Sequence, residues 1–156
     1  LIFTVERFSF KAKERLTAPR KVYAIDTGLS KAVSIKFSQD IGHVYENIVA
    51  LELLRTVKSS FKTEIYYWQD LQAKEIDFII KQGLKITQLI QVCYDLTDEQ
   101  TKKREIRSLL KASQELKCNN LLVITSDYEA EEKHKGKTIK FIPLWKWLLE
   151  DGKIGE

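Results

Sequence analysis

Apolar residues recur at two different periods along this chain, and each change of period marks an element. Over residues 74–93, reading KEIDFII, KQGLK and ITQLIQVC, apolar and polar positions alternate on both sides of a glycine-containing segment. This is the pattern of a β-hairpin made of two half-buried antiparallel strands. Strict alternation groups Glu75, Asp77 and Ile79 on one face and Ile76, Phe78 and Ile80 on the other. With a five-residue loop over residues 82–86, Asp77 falls opposite Gln91 and Glu75 opposite Cys93. That register gathers an acid, an amide oxygen and a thiol around one point.

From residue 41 the period becomes helical, with Val44, Tyr45, Ile48, Val49, Leu53 and Leu54 recurring at three- and four-residue steps through Val57. Glu46 interrupts this series. An acid among core-facing positions is costly unless it is paired or sits at the edge of a site, so Glu46 either points outward or has a task. Residues 65–68 read as a strand leading into the hairpin. A second helix is expected over residues 99–117, with Ile106, Leu109, Leu110 and Leu116 on its apolar face and Asp98 as N-cap. Residues 121–125 are unbroken apolar, which predicts a strand buried on both faces. A charged loop, EAEEKHKGK, then precedes a short strand at residues 139–142, and Pro143 opens a short amphipathic helix over residues 144–149. At the other end, residues 1–10 alternate loosely, as an extended arm or edge strand. Residues 11–21 are charged, carry Pro19 and read as a linker. Residues 22–25 form a small strand closed by Asp26, Thr27 and Gly28, with a short helix expected at residues 29–33.

The 156 residues make one domain's worth of chain, long enough to bury roughly 70% of the surface that the unfolded chain exposes. The two cysteines, Cys93 and Cys118, lie far apart with no metal-ligand spacing around them, which points to a reduced, cytoplasmic protein. No apolar run approaches a membrane span and no leader is visible, so no membrane partner is expected. The absence of any methionine suggests a fragment of a longer protein. A formal net charge of +4 suits nucleic-acid binding without demanding it, because 22 acids are mixed among 26 bases. Gly136, Lys137 and Thr138 imitate the end of a phosphate-binding loop, but Glu132 lies five positions before Lys137 and the motif's earlier glycine is missing. No nucleotide is therefore expected to bind this chain.

In order, the elements are a helix, three strands, a helix and a strand, an αβββαβ core. With KVYAIDTGL, GHVYENIVALELL, YYWQ, EIDFII, LIQVCYDL and TKKREIRSLL in that sequence and spacing, residues 20–149 resemble the C-terminal domain of archaeal and bacterial AAA-type ATPases. That domain is placed in the PD-(D/E)XK superfamily. The resemblance implies an α/β, restriction-endonuclease-like fold, a mixed central sheet flanked by helices. Residues 1–19 would then be the tail of a winged-helix segment with its linker, residues 20–150 the nuclease-like domain, and residues 151–156 a polar tail. The missing upstream part would be a P-loop ATPase module.

By the same resemblance, Glu46, Asp77 and Gln91 occupy the positions that hold magnesium or manganese, and Cys93 occupies that of the lysine which helps activate water. Two of these four depart from the pattern: glutamine withdraws a charge from the metal, and a thiol cannot replace an ammonium beside a developing phosphate charge. Lys102, Lys103, Arg104, Arg107 and Lys111 give the second helix a basic stripe, which in such a fold flanks the site and would contact DNA phosphates. Three functions follow as expectations, and the first is the one favoured. The first is a DNA-binding, nuclease-like domain with weak or lost metal-dependent cleavage. The second is a non-catalytic interaction or regulatory module of the parent ATPase. The third is an active nuclease whose lysine comes from elsewhere, with Lys74 or a base of the second helix as candidates.

Overall fold

A computed structural model describes residues 2–26, 41–58 and 62–150 of the chain. The helix expected at residues 29–33 and the polar tail at residues 151–156 lie outside them. The described elements are β1 (Ile2–Arg7), α1 (Ala12–Thr17), β2 (Lys21–Ala24), α2 (Ile41–Lys58), β3 (Thr63–Gln69), β4 (Glu75–Gln82) and β5 (Lys85–Val92). After them come α3 (Glu99–Leu116), β6 (Leu121–Thr125), β7 (Ala130–His134), β8 (Lys137–Pro143) and α4 (Leu144–Leu149). The strands form one eight-stranded mixed sheet in the order β2-β1-β3-β4-β5-β6-β8-β7. The expected run of helix, three strands, helix and strand is present as α2, β3, β4, β5, α3 and β6.

Two apolar layers cover the sheet. On one face, Val49, Ala50 and Leu53 of α2 and Leu144 and Trp147 of α4 pack against Tyr67, Phe78, Ile80, Ile90 and Ile124. On the other, Ile106, Leu109, Ala112 and Leu116 of α3 pack on Ile76, Ile79, Leu89 and Val123. All five residues of β6 are buried, as an unbroken apolar strand in mid-sheet requires. Asp98 caps α3 as expected, accepting from the amides of Gln100 and Thr101.

The N-terminal region departs from its sequence reading. Residues 2–7 are an interior strand, β1, paired antiparallel with β2 and parallel with β3, and Val5, Phe8 and Tyr23 are buried. The stretch read as a linker holds α1, a short helix with no buried residue, and ends in the first residue of β2. Its high charge reflects an exposed helix. The segment read as a charged loop before β8 contains β7, which pairs with β8 from Ala130 opposite Phe141 to His134 opposite Lys137. An edge strand with one open side tolerates that charge.

The hairpin keeps its expected register at one end and reaches it differently. Phe78 pairs with Ile90 and Ile79 with Leu89, which leads towards Asp77 opposite Gln91. Near the tip, however, Lys81 pairs with Ile86 and Gln82 with Lys85. The five-residue loop is instead a two-residue turn, Gly83 and Leu84, with Thr87 as an extra residue that bulges out of the ladder. Gly83 has φ +60, and a methyl group added there would meet only open space. Gly83→Ala is therefore expected to cost about 1 kcal/mol through the backbone alone, read as a shifted urea midpoint with an unchanged slope.

A second irregularity shapes the candidate site. Tyr66 pairs with Ile79 and Trp68 with Ile76, so Tyr67 alone stands against Asp77 and Phe78. This bulge breaks the alternation assumed for β4. Ile79 joins the α3 layer while Phe78 joins the α2 layer, so Ile79 does not share a face with Asp77.

Candidate functional site

Asp77 lies at the bulge, and the bulge lets its carboxylate face β2 and α2. There it meets Glu75 of the same strand, Glu46 of α2 and Lys21 of β2. The Lys21 ammonium stands 2.9 Å from Glu46 Oε1, 2.5 Å from Glu75 Oε1 and 2.9 Å from Asp77 Oδ1. Its side chain is 19% exposed, and those of Glu46 and Asp77 are 16% and 8% exposed. The sequence reading put Glu46 either outward or at a task; here it turns inward, onto Lys21 and Tyr23.

Further donors reach the same three carboxylates. Asp77 Oδ2 accepts from the Val92 amide at 2.9 Å. Glu75 Oε2 accepts from Gln69 Nε2 at 3.4 Å, and Glu46 Oε1 accepts from the Tyr23 hydroxyl at 2.6 Å. Glu46 Oε2 faces His43 Nδ1 at 3.8 Å. Next along the helix, the Asn47 amide group bonds both backbone groups of Ala24, at 2.9 and 3.0 Å. One turn of α2 thus grips β2 at Lys21, Tyr23 and Ala24.

Burial sets the titration behaviour of the cluster first, and one ammonium against three carboxylates sets it second. Burial and the nearby charge of Glu46 push Asp77 up to about 7, more than Lys21 and the Val92 amide pull it down. Burial alone would lower Lys21, but Asp77, Glu46 and Glu75 outweigh it and raise the ammonium above its ordinary value. Burial, reinforced by Glu46, also raises Tyr23 and keeps its hydroxyl a proton donor.

Gln91 and Cys93 do not join this cluster. Gln91 stays beside Asp77, accepting from the Asp77 amide at 3.3 Å, but its own amide group donates to Glu105 Oε2 of α3 at 2.8 Å. Cys93 is buried in the α3 layer, where its thiol contacts the Asp95 carbonyl at 3.3 Å. Burial and the Glu105 charge push that thiol up to about 11, so it is protonated at neutral pH. The bulge explains the separation: Asp77 and Gln91 are neighbours across the hairpin, yet their side chains serve opposite faces of the sheet. Among the described residues, no group of three or more His, Cys, Asp or Glu side chains is placed to hold a metal ion.

The basic stripe of α3 is largely spent on internal partners. Lys102 meets Glu132 at 2.5 Å and lies 4.5 Å over the Tyr128 ring. Lys103 pairs with Glu99 at 3.1 Å, Arg104 with Glu105 at 2.9 Å, and Lys111 with Asp70. Arg107 is exposed and has no acidic partner among the described residues. Lys74, offered as a substitute lysine, is absent from the ion pairs of the cluster; Lys21 is the base that reaches it.

Lys21 and Glu105 are the two residues that the sequence reading missed, and both carry a signal. Alternation in β2 places Lys21 on the same face as Tyr23, but a strand started at residue 22 leaves it out. Glu105 lies three, four and seven positions from Lys102, Leu109 and Ala112, on the inner face of α3, and is buried. An acid at a core-facing helical position asks for a partner, and Gln91 and Arg104 supply it.

The family model described as a domain of unknown function, DUF4143, matches residues 41–147. An uncharacterized protein of Methanocaldococcus jannaschii is 38% identical over 155 residues, covering 96% of this chain and 33% of its own length. An uncharacterized protein of Haemophilus influenzae is 26% identical over 150 residues, covering 96% of this chain and 34% of its own length. The chain thus spans about a third of the curated relatives that it matches. No solved structure matches it. Among the described residues, no helix is long and apolar enough to cross a membrane.

Proposed function

Because the chain belongs to the DUF4143 family, whose description assigns no chemistry, we propose a function from the geometry: a nuclease-like scaffold that does not hydrolyse phosphodiesters and serves as an interaction or regulatory module of a P-loop ATPase. The restriction-endonuclease-like fold, the cytoplasmic setting and the ATPase partner are parts of this proposal. One observation carries it. The ammonium of Lys21 fills the centre of the Glu46, Glu75 and Asp77 cluster, while Gln91 and Cys93 turn to α3. The residues that the resemblance assigns to magnesium or manganese therefore do not fit such an ion, since the Lys21 ammonium already draws on Glu46 Oε1 and Asp77 Oδ1 and the Gln91 oxygen accepts from the Asp77 amide. The thiol at the lysine position is protonated, and the one ammonium in the site is already taken up by three carboxylates, so neither is free to stabilise charge at a phosphate.

DNA binding is the weaker reading. Four of the five stripe residues are ion-paired, so phosphate contact would first have to break those pairs. Exposed pairs such as Lys103 with Glu99 are weak, which leaves room for low, salt-sensitive affinity. The test is incubation with labelled single-stranded, double-stranded and branched DNA, in manganese or in chelator. The expected outcome is no cutting on any substrate and retention that vanishes by about 0.2 M salt. Manganese-dependent cutting abolished by Asp77→Ala would overturn the proposal, and salt-dependent retention that still persists at about 0.2 M salt and is lost in Arg107→Ala would restore the DNA-binding reading.

A further inference from the structure

We infer that Lys21 is a tethered cation standing where the carboxylates of Glu46, Glu75 and Asp77 would otherwise call for a divalent one, and that its task is to lock β2 onto α2 and β4. The inference deepens the non-hydrolytic reading above and rests on it. A lysine ammonium has three N–H donors and no acceptor. Here three carboxylates, from Glu46, Glu75 and Asp77, surround it at 2.5 to 2.9 Å. Each donor can therefore be matched to one carboxylate, and the cation is fully coordinated by oxygen, much as a small metal would be.

The lock is directional because the four groups come from three elements. Glu75 and Asp77 belong to β4, in the middle of the sheet, and Glu46 belongs to α2. Lys21 belongs to β2, which among the described strands lies at the edge of the sheet and pairs with β1 alone. Without the ammonium, β2 would keep the β1 ladder, the Tyr23 hydroxyl on Glu46 and the Asn47 grip on Ala24. It would then lie against a group of uncompensated carboxylates, and the Tyr23 contact ends on one of them. Lys21 is in this sense a positioning residue: it holds the edge strand closed by neutralising charge that the core cannot otherwise bury.

Two measurements test this separately from cleavage. Manganese titrated into the wild-type protein is expected to show no stoichiometric site and to leave amide exchange in β2 unchanged. In Lys21→Gln, amide exchange in β2 is expected to rise at least about tenfold while β6 keeps its protection, since only the edge opens. Lys21→Arg, which keeps the charge, should recover part of that protection. Tight manganese binding by the wild type that is lost in Asp77→Asn would overturn the inference, and so would unchanged β2 exchange in Lys21→Gln. The manganese measurement needs no variant of Lys21, so it decides even if Lys21→Gln does not fold. An absence of DNA cutting combined with tight manganese binding would sink the inference and leave the non-hydrolytic reading standing.

Discussion

Lys21→Met is expected to lower stability by about 3 kcal/mol at pH 8, the low end of the range for stranding a buried charge because Lys21 retains some solvent contact. The loss should shrink as the pH falls. Without the ammonium, Glu46, Glu75 and Asp77 repel one another, and protonating a carboxyl relieves the repulsion. The wild-type protein supplies the sign. Folded Asp77 holds its proton up to about 7, whereas an unfolded aspartate loses it near about 3.9. Between those values the folded state binds more protons than the unfolded state, so Asp77's contribution favours folding at the acid end and is lost as pH rises through about 7. Lys21, whose folded value is raised, contributes stability below its unfolded value that disappears only in strong alkali. Removing Lys21 raises Asp77 further and widens the window. Urea melts at pH 8 and pH 5 read the effect, and an equal loss at both values would contradict it.

Phe78→Ala is expected to cost about 3 to 5 kcal/mol, the usual range for emptying a buried aromatic site. Phe78 is fully buried at the bulge, and its ring lies 5.7 Å from that of Tyr23. The substitution therefore leaves a cavity in the α2 layer and loosens the tyrosine that donates to Glu46. Against a total stability of about 5 to 15 kcal/mol, such a loss removes at least about a fifth of the total. Calorimetry or urea denaturation would show it, and a loss below about 1 kcal/mol would mean that the neighbouring side chains collapse into the space.

The parts of the fold legible in the sequence are those in which one local signal decides the outcome. The helical period of α2, the cap at Asp98 and the apolar run of β6 each name an element without help from distant residues. Where a second residue has to be counted, the reading slips. A bulge adds one residue to one strand, and alternation cannot reveal it: Ile79 moves to the far face because Asp77 and Phe78 share the place opposite Tyr67. Thr87 does the same in β5, so the register leads to Asp77 opposite Gln91 although the loop is two residues long rather than five. The cluster is half legible. Glu46 and Asp77 can be singled out because an acid in an apolar series needs a reason, and Glu75 accompanies Asp77. Lys21 cannot be joined to them by spacing, since a charged stretch carrying Pro19 looks like a linker until β1 and β2 are seen to pair. Gln91 falls beside Asp77 as the hairpin pattern requires, with Cys93 just past the end of β5. The turn of Gln91 towards α3 depends on Glu105, a partner fourteen residues away.

The most direct measurement is the titration of Lys21 itself, followed through the Cε signal of isotopically labelled lysine. If three carboxylates hold the ammonium, Lys21 stays charged after the exposed lysines have titrated near about 10.4, and in Asp77→Asn its titration moves down towards theirs. A Lys21 signal that titrates together with the surface lysines would mean that the ammonium is not held at the centre of the cluster, and the case against a metal site would fall with it.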